Sequence, residues 1–216
     1  MKSSAYQLPV LSVIVLLVLL AGAGNATAQR QTVLVFGDSL SSAYRMPEAE
    51  GWVTLLAEKL ADEGWSVQVA NGSVAGATTT SGTARLPNIL EYFRPTLVIL
   101  ELGGNDGLRG LPLEVMRVNL TDMIKTIQQY GAEVLLVGIR IPPNYGSRYT
   151  EPFFNTYSEL AELYDLPLVP FMLEDIAEHP ELMQNDGIHP TAEAQPLIVD
   201  NIWPVLEPML REMVKR

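Results

Sequence analysis

Short apolar segments alternate with amphipathic ones along most of the chain. Runs rich in β-branched and other apolar residues predict strands at 32–36, 65–69, 96–100, 133–139 and 166–169. Apolar residues that recur at the spacing of one helix face predict helices at 51–63, 84–93, 113–130, 153–164 and 191–213. The last helix contains Pro196, Pro204 and Pro208, and we expect an interruption near one of them because proline donates no backbone hydrogen bond.

This alternation predicts one parallel sheet with helices on both faces, which is a three-layer α/β/α sandwich. Residues 71–82, 103–107 and 141–151 are rich in turn-forming residues and predict connecting loops. No internal repeat, low-complexity tract or linker interrupts the pattern. A single domain over residues 29–216 is therefore expected.

The first 28 residues follow a different pattern. Lys2 precedes an apolar run at residues 8–22, and the small residues Ala26, Thr27 and Ala28 follow that run. This order is typical of a secretory signal peptide that is cleaved after residue 28. The run is on the short side of the roughly 20 residues that span a bilayer. An uncleaved membrane anchor is the alternative, whereas cleavage would leave no stable anchor.

Charge and composition exclude several kinds of partner and site. The chain has 14 basic and 25 acidic residues and a formal charge of −11, which becomes −12 when Lys2 leaves with the signal peptide. Such an acidic protein is not expected to bind nucleic acid. The absence of cysteine excludes disulfides, a cysteine nucleophile and cysteine metal ligands. No histidine or carboxylate cluster has metal-ligand spacing, so we expect no metal and no cofactor.

Four polar segments lie where the loops leave the predicted sheet. Three of them follow the first three predicted strands, and the fourth precedes the last helix: residues 37–40, 72–76, 103–106 and 186–190. The carboxyl ends of parallel strands share one edge of a sheet, so these sequence-distant segments are expected to meet there.

Together the four segments supply the groups that acyl transfer needs. Ser39 is the candidate nucleophile, His189 the candidate base, and Asp186 the candidate group that orients the base. The Gly76 amide and the Asn105 side chain are candidate donors to an oxyanion.

Each of these residues also has an ordinary interpretation when it is taken alone. A serine after a strand often caps a helix, and glycine and asparagine often form tight turns. The other histidine, His179, is predicted on the surface. Asp38 and Asp106 are interpreted as turn-forming or hydrogen-bonding neighbours of the candidate residues.

The order of these segments resembles the SGNH (GDSL-type) hydrolases, from about residue 32 to the last helix. The family's serine, glycine, asparagine and histidine fall on Ser39, Gly76, Asn105 and His189, and Asp186 matches the third member of the triad. Residues 83–87, 101–110, 143–146 and 186–190 resemble more narrowly the bacterial secreted thioesterase I / lysophospholipase L1 / arylesterase subgroup. Ala77 stands where that subgroup usually has an aspartate.

The resemblance implies a flavodoxin-like α/β/α sandwich, a periplasmic location and hydrolysis of acyl esters and thioesters through an acyl-enzyme. It also implies an oxyanion hole formed by the Ser39 amide, the Gly76 amide and the Asn105 side chain. We expect a monomer that acts on a small acyl ester, a thioester or a lysophospholipid. The apolar and aromatic loop residues expected to contact such a substrate are Leu108, Leu111, Pro112, Pro143 and Tyr145.

Two other functions remain open at this point. A small-ester or carbohydrate deacetylase would use the same residues with a shorter acyl group. A non-catalytic binding module could have the same architecture, because fold alone does not imply function. A missing triad member would favour the binding module, and none is missing from the sequence.

Overall fold

The computed structural model describes Met1 and residues 31–215. Apart from Met1, the predicted signal peptide lies outside the described residues, so its cleavage stays a prediction.

Within the described residues, one parallel sheet of five strands forms the centre of the structure. Its strands are β1 (Gln31–Gly37), β2 (Val67–Asn71), β3 (Leu97–Glu101), β4 (Glu133–Val137) and β5 (Leu168–Val169). Their spatial order is β2-β1-β3-β4-β5, and every neighbouring pair is parallel. Each parallel connection needs a crossover, which the helices supply.

In residues 31–215, six α-helices connect or follow the strands: α1 (Trp52–Asp62), α2 (Thr79–Phe93), α3 (Gly104–Leu108), α4 (Leu113–Tyr130), α5 (Ser147–Tyr164) and α6 (Gln195–Val214). Short 3-10 turns lie at Glu48–Glu50, Pro143–Tyr145, Pro180–Leu182 and Ala192–Ala194. None of the helices in residues 31–215 is both long enough and apolar enough to cross a membrane.

The helices pack in two groups, α1 with α6, and α2 with α4 and α5. All five residues of β3 and the last five of β1 are buried, so both faces of the central strands are covered. Continuous apolar strands of this kind suit a sheet that is packed on two sides. The predicted three-layer α/β/α sandwich is confirmed.

Several boundaries differ from the sequence prediction. Helix α2 begins at Thr79, inside a predicted loop, because Thr78 and Ser81 form a reciprocal capping box. Helix α5 begins at Ser147 and continues through Pro152, so it takes in the end of another predicted loop. Most of the predicted turn at residues 103–107 belongs to the short helix α3, which ends at Leu108.

The expected interruption of the last helix is wrong. Helix α6 runs without a break from Gln195 to Val214. Pro196 lies in its first turn, where a missing N–H group costs no helical bond. Pro204 and Pro208 lie on the exposed side, so the carbonyls that they leave unpaired can reach water.

Candidate active site

Ser39, the candidate nucleophile, lies in a tight turn at residues 38–41 that follows β1 and is called the nucleophile turn. Asp38 Oδ1 accepts a hydrogen bond from the Leu40 amide at 3.0 Å, and the Ser41 amide lies 3.4 Å from the Asp38 carbonyl oxygen. These short-range bonds favour a turn over continued strand. The turn leaves Ser39 half-buried in the wall of a cavity.

Glu101, the last residue of β3, supports this turn from inside the core. Its Oε2 accepts hydrogen bonds from Ser41 Oγ at 2.6 Å and from the Asp38 amide at 3.3 Å. A Cβ atom on Gly37 would lie 2.4 Å from the same oxygen, so only glycine leaves room for the carboxyl group. Burial, and then the charge of Asp38, raise the pKa of Glu101 well above its usual range, which favours the neutral acid.

Asp38 connects the nucleophile turn to Asn105 in α3. Asn105 Nδ2 donates a hydrogen bond to Asp38 Oδ2 at 3.0 Å. Burial raises the pKa of Asp38 to about 6, although the bonds from the Leu40 amide and from Asn105 act in the opposite direction. The bond holds one hydrogen of the Asn105 amide group, and the second hydrogen stays available to a ligand.

The loop after β2 runs beside the nucleophile turn and carries Gly76. The Val74 amide donates to the Gly37 carbonyl at 3.1 Å, which joins the two segments. Gly76 has a φ of +77°, a conformation that residues with a side chain rarely adopt, and its carbonyl accepts a hydrogen bond from Arg109 at 3.0 Å. The oxyanion roles of the Ser39 amide, Gly76 and Asn105 stay predictions.

His189 and Asp186 lie in a loop that precedes α6 and is not part of the sheet. Asp186 Oδ1 accepts hydrogen bonds from the amides of Ile188 and His189, each at 3.0 Å. Its other oxygen, Oδ2, lies 2.9 Å from His189 Nδ1. Burial alone would raise the pKa of Asp186, but these hydrogen bonds and the histidine lower it to about 2. Asp186 is therefore ionised throughout the neutral range.

The structure brings Asp186, His189 and Ser39 into one hydrogen-bonded chain. His189 Nε2 lies 2.9 Å from Ser39 Oγ, across 150 positions of sequence. If Nδ1 carries the ring proton toward Asp186, Nε2 is left free to accept the serine proton. The chain can therefore move a proton from Ser39 to His189.

Asp106 is a buried hydrogen-bonding neighbour of Asn105. Its two carboxylate oxygens accept from the Thr79 amide at 2.8 Å and from Thr79 Oγ1 at 2.6 Å. Asn119 Nδ2 in turn donates to Thr79 Oγ1 at 3.0 Å. These bonds connect α3 to α2 and α4 and hold the helix that carries Asn105.

His179 is exposed, as expected for a surface residue, and its Nδ1 lies 3.3 Å from a Glu181 oxygen.

A cavity of about 670 Å³ opens beside Ser39 and Asn105. Of the five residues predicted to contact a substrate, Leu108 and Pro143 line this cavity, whereas Leu111, Pro112 and Tyr145 do not. The Tyr145 hydroxyl instead donates a hydrogen bond to the Leu108 carbonyl at 2.8 Å.

Sequence reasoning missed most of the apolar wall of this cavity: Ile139, Phe154, Phe171, Leu173 and Met183. Ile139 lies two residues after β4, and a position just past a strand is a usable signal for a site residue in a parallel sheet. Phe154 and Phe171 carried no such signal, because a helix face and a loop bring them to the cavity. Within residues 31–215, no group of three or more His, Asp and Glu side chains is arranged to hold a metal ion.

Comparison with known proteins agrees with this geometry. Residues 35–196 match the GDSL-like Lipase/Acylhydrolase family. Esterase TesA of Pseudomonas aeruginosa is 48% identical, with 85% of this chain and 91% of that protein aligned. Thioesterase 1/protease 1/lysophospholipase L1 of Escherichia coli K12 is 42% identical, over 85% of this chain and 86% of that protein.

This protein is also similar in fold and sequence to a solved esterase structure. The psychrotrophic esterase EstA from Pseudoalteromonas, in a crystal structure inhibited by monoethylphosphonate, has a TM-score of 0.80 and 41% identity, over 84% of this chain and 99% of that one. The two relatives are 48% and 42% identical over 85% of this chain, which is enough to show a common family. The family match itself spans most of the chain. The protein therefore belongs to the GDSL-like lipase/acylhydrolase family and is an ester hydrolase of that family.

Proposed function

We propose that the protein is a serine esterase that works through an acyl-enzyme on Ser39. One observation carries this proposal: Asp186, His189 and Ser39 form an unbroken chain, with 2.9 Å at each histidine nitrogen, at the wall of a cavity of about 670 Å³. A serine hydroxyl is a poor nucleophile until a neighbouring base takes its proton, and this geometry supplies the base.

Acylation begins when Ser39 Oγ adds to the acyl carbonyl carbon and His189 Nε2 takes the serine proton. The negative charge that forms on the carbonyl oxygen is stabilised by the Ser39 amide, the Gly76 amide and the Asn105 side chain. Protonated His189 then gives its proton to the leaving alcohol or thiol as the bond from that group to the acyl carbon breaks. The ionised Asp186 stabilises the imidazolium during this step.

Deacylation repeats these steps with water as the nucleophile. His189 takes a proton from the water as its oxygen adds to the acyl carbon. The proton returns to Ser39 Oγ when the bond from the serine to the acyl carbon breaks, which releases the acid and restores the enzyme.

The proposed substrates are acyl esters and thioesters, including lysophospholipids. The volume of the cavity lies in the range of small-ligand sites, and apolar side chains form much of its wall. Arg140, Glu151 and Glu178 bring both charge signs to the same cavity, so a polar leaving group can also be accommodated. The Escherichia coli relative is named for both thioesterase and lysophospholipase activity, which supports this substrate class.

We also propose that the protein acts in the periplasm as a monomeric domain of residues 29–216. The basic start, the apolar run and the small residues before residue 29 support export. Mass spectrometry of the N-terminal peptide of the folded product checks the cleavage, because an intact Met1 would contradict it.

The decisive experiment compares the mature protein with Ser39→Ala on p-nitrophenyl butyrate and octanoate. Ser39→Ala should lower kcat by at least about 10⁴-fold, because the acyl-enzyme cannot form. Ser66→Ala is the matched control and should keep full activity. Ser66 is exposed and precedes β2, so it lies at the opposite edge of the sheet from Ser39.

Other outcomes would change the assignment. Full turnover by Ser39→Ala contradicts the serine mechanism. A strong preference for acetyl over octanoyl esters would favour the deacetylase. If the folded parent neither hydrolyses an ester nor reacts with a serine-directed phosphonate, the binding module becomes the better interpretation.

A further inference from the structure

The groups of the site are positioned by two different parts of the fold. Ser39 lies two residues after β1 and Asn105 four residues after β3, and these two strands are paired in register with Gly37 opposite Glu101. The sheet therefore sets the distance between these two side chains. His189 lies far beyond β5, in a loop that no strand pairing joins to β1. Other contacts must set its distance from Ser39.

Gln184 makes such a contact with a single side-chain nitrogen. Its Nε2 donates to the Tyr44 carbonyl at 3.1 Å and to the Pro190 carbonyl at 3.0 Å. Tyr44 belongs to the segment after the nucleophile turn, whereas Pro190 directly follows His189. The backbone N–H of Gln184 also donates to the His189 carbonyl, at 2.7 Å. One residue thus joins the nucleophile segment to the loop of the base.

Tyr44 makes a second contact between the same two segments. Its ring centroid lies 4.3 Å from that of the His189 ring, with 37° between the ring planes. The residues on either side of it, Ala43 and Arg45, have φ values of +52° and +56°. Non-glycine residues adopt this conformation at an energetic cost, so the surrounding structure must impose it. Two residues in this costly conformation thus flank the tyrosine whose ring lies against His189.

A further bridge lies farther from the base. Trp52 Nε1 donates to the Leu40 carbonyl at 3.1 Å, and the Trp52 amide donates to Gln195 Oε1 at 3.0 Å. Gln195 Nε2 then donates to the Thr191 carbonyl at 3.1 Å. This bridge holds the start of α6, and none of its bonds involves His189. The contacts that join the His189 loop to the segment after Ser39 are those of Gln184 and Tyr44.

We propose that Gln184 and Tyr44 are positioning residues that hold His189 at hydrogen-bonding distance from Ser39. This inference rests on the proposed serine-esterase function. The contacts named above, from Gln184 Nε2 and N and from the Tyr44 ring, are called the Gln184–Tyr44 link. Its role is to fix the position of the His189 loop, which lies outside the sheet, relative to Ser39.

The kinetic test uses Gln184→Leu, which keeps most of the side-chain volume but removes both donated bonds of Nε2. A displacement of about 1 Å can cost about 10²-fold in rate, so kcat should fall by about that factor while KM stays unchanged. Tyr44→Ala should cause a similar loss. Tyr44→Phe, which keeps the ring, should restore most of it. Gln129→Leu, at an exposed position of α4, is the matched control.

A second readout does not depend on activity. The chain has only two histidines, so the ring signals of His189 and His179 in an NMR spectrum can be assigned with one variant of His179. Tyr44→Ala and Gln184→Leu should move or broaden the His189 signals, and the exposed His179 serves as an internal reference. If Gln184→Leu does not fold, Gln184→Glu replaces it, because a carboxylate oxygen cannot donate to the two carbonyls.

The outcomes separate the two proposals. Wild-type kcat and wild-type His189 signals in Gln184→Leu would overturn the link while leaving the esterase proposal intact. A parent protein that hydrolyses no ester would contradict the proposed function, and the His189 signals would still decide whether the link positions the ring. Equal loss of activity in Tyr44→Phe and Tyr44→Ala would also overturn the role given to the ring.

Discussion

Asp38 anchors the Asn105 side chain, but its burial lowers the stability of the folded protein when the carboxyl group is ionised. Its pKa of about 6 in the folded protein lies above its ordinary value of 3.8, because the side chain is buried. Between these two pH values the folded protein binds the proton more tightly than the unfolded chain does. The stabilisation linked to this proton is therefore complete below pH 3.8 and is lost as the pH rises through 6. Above pH 6, where Asp38 is ionised, its contribution to the unfolding free energy is lower by on the order of 3 kcal/mol than it is below pH 3.8.

Asp38→Asn should remove this pH dependence and damage the site at the same time. An amide cannot accept both the Leu40 and the Asn105 hydrogen bonds, so the Asn105 side chain loses its anchor and kcat should fall by about 10- to 10²-fold. Relative to the parent, the unfolding free energy of the variant should rise by up to about 3 kcal/mol from pH 4 to pH 8.

Urea unfolding at several pH values measures this difference, with Asp62→Asn at an exposed helix position as the control. A difference between variant and parent that stays constant with pH would contradict the raised pKa of Asp38.

Gly37→Ala tests the space that the buried acid occupies. The new methyl group would lie 2.4 Å from Glu101 Oε2 and 2.9 Å from Ser41 Oγ, so the nucleophile turn must shift. Overpacking of this kind typically costs about 1–3 kcal/mol in unfolding free energy, and we expect kcat to fall with it. Thermal unfolding and ester hydrolysis are the measurements. In Gly37→Ala/Glu101→Ala the nearest obstacle is gone. A stability loss equal to the sum of the single losses would show that the methyl group and the Glu101 carboxyl group do not collide.

Among the elements, α6 shows why a sequence pattern can predict a helix but not its continuity. Pro204 and Pro208 each remove one backbone donor, and that argument predicted a break. The buried face of the helix, which includes Ile198, Ile202 and Leu206, packs along the core and holds the helix together across both prolines. Packing of an amphipathic face commonly outweighs local propensity.

Pro204→Ala should therefore stabilise the protein. The substitution restores an N–H donor on the exposed side of α6 and removes the clash of the proline ring with the preceding turn. The unfolded chain gains freedom, which offsets part of the benefit, so we expect a net gain of about 1–2 kcal/mol. Differential scanning calorimetry measures it, with Pro112→Ala outside the helix interiors as a comparison. A lower Tm for Pro204→Ala would show that the helix needs the proline at this position.

The sequence predicted the elements well where periodicity was strong and less well where side chains decide the ends. The bounds of α4 match the apolar stripe from Leu113 to Tyr130. The start of α2 depends on the capping box of Thr78 and Ser81, a side-chain contact that the stripe does not include. The candidate triad was accessible because chemistry restricts the residue types. Gln184 and Tyr44 were not, since no reaction restricts the residue type at either position and their contacts join segments 140 positions apart.

At the scale of the whole molecule, the site divides into a part held by the core and a part held by loop contacts. The nucleophile turn and α3 extend from β1 and β3, whose residues are almost fully buried. The loop with His189 is half-buried or exposed over most of its length and depends on a small number of hydrogen bonds. Regions with few buried apolar contacts open at lower free energy than the core does.

The enzyme should therefore lose activity before it unfolds. In a urea titration, kcat for a p-nitrophenyl ester should fall at a lower urea concentration than the far-UV circular dichroism signal, because opening of the loop separates His189 from Ser39 while the sheet stays intact. KM should change less than kcat in that range, since the cavity wall at Ile139 and Ile141 belongs to the core and only the part at Met183, Gly187 and Ile188 moves with the loop. Gln184→Leu should move the activity midpoint to still lower urea and leave the circular dichroism midpoint in place. Coincident midpoints in the parent would mean that the loop and the sheet unfold as one cooperative unit, and that the site has no weaker part.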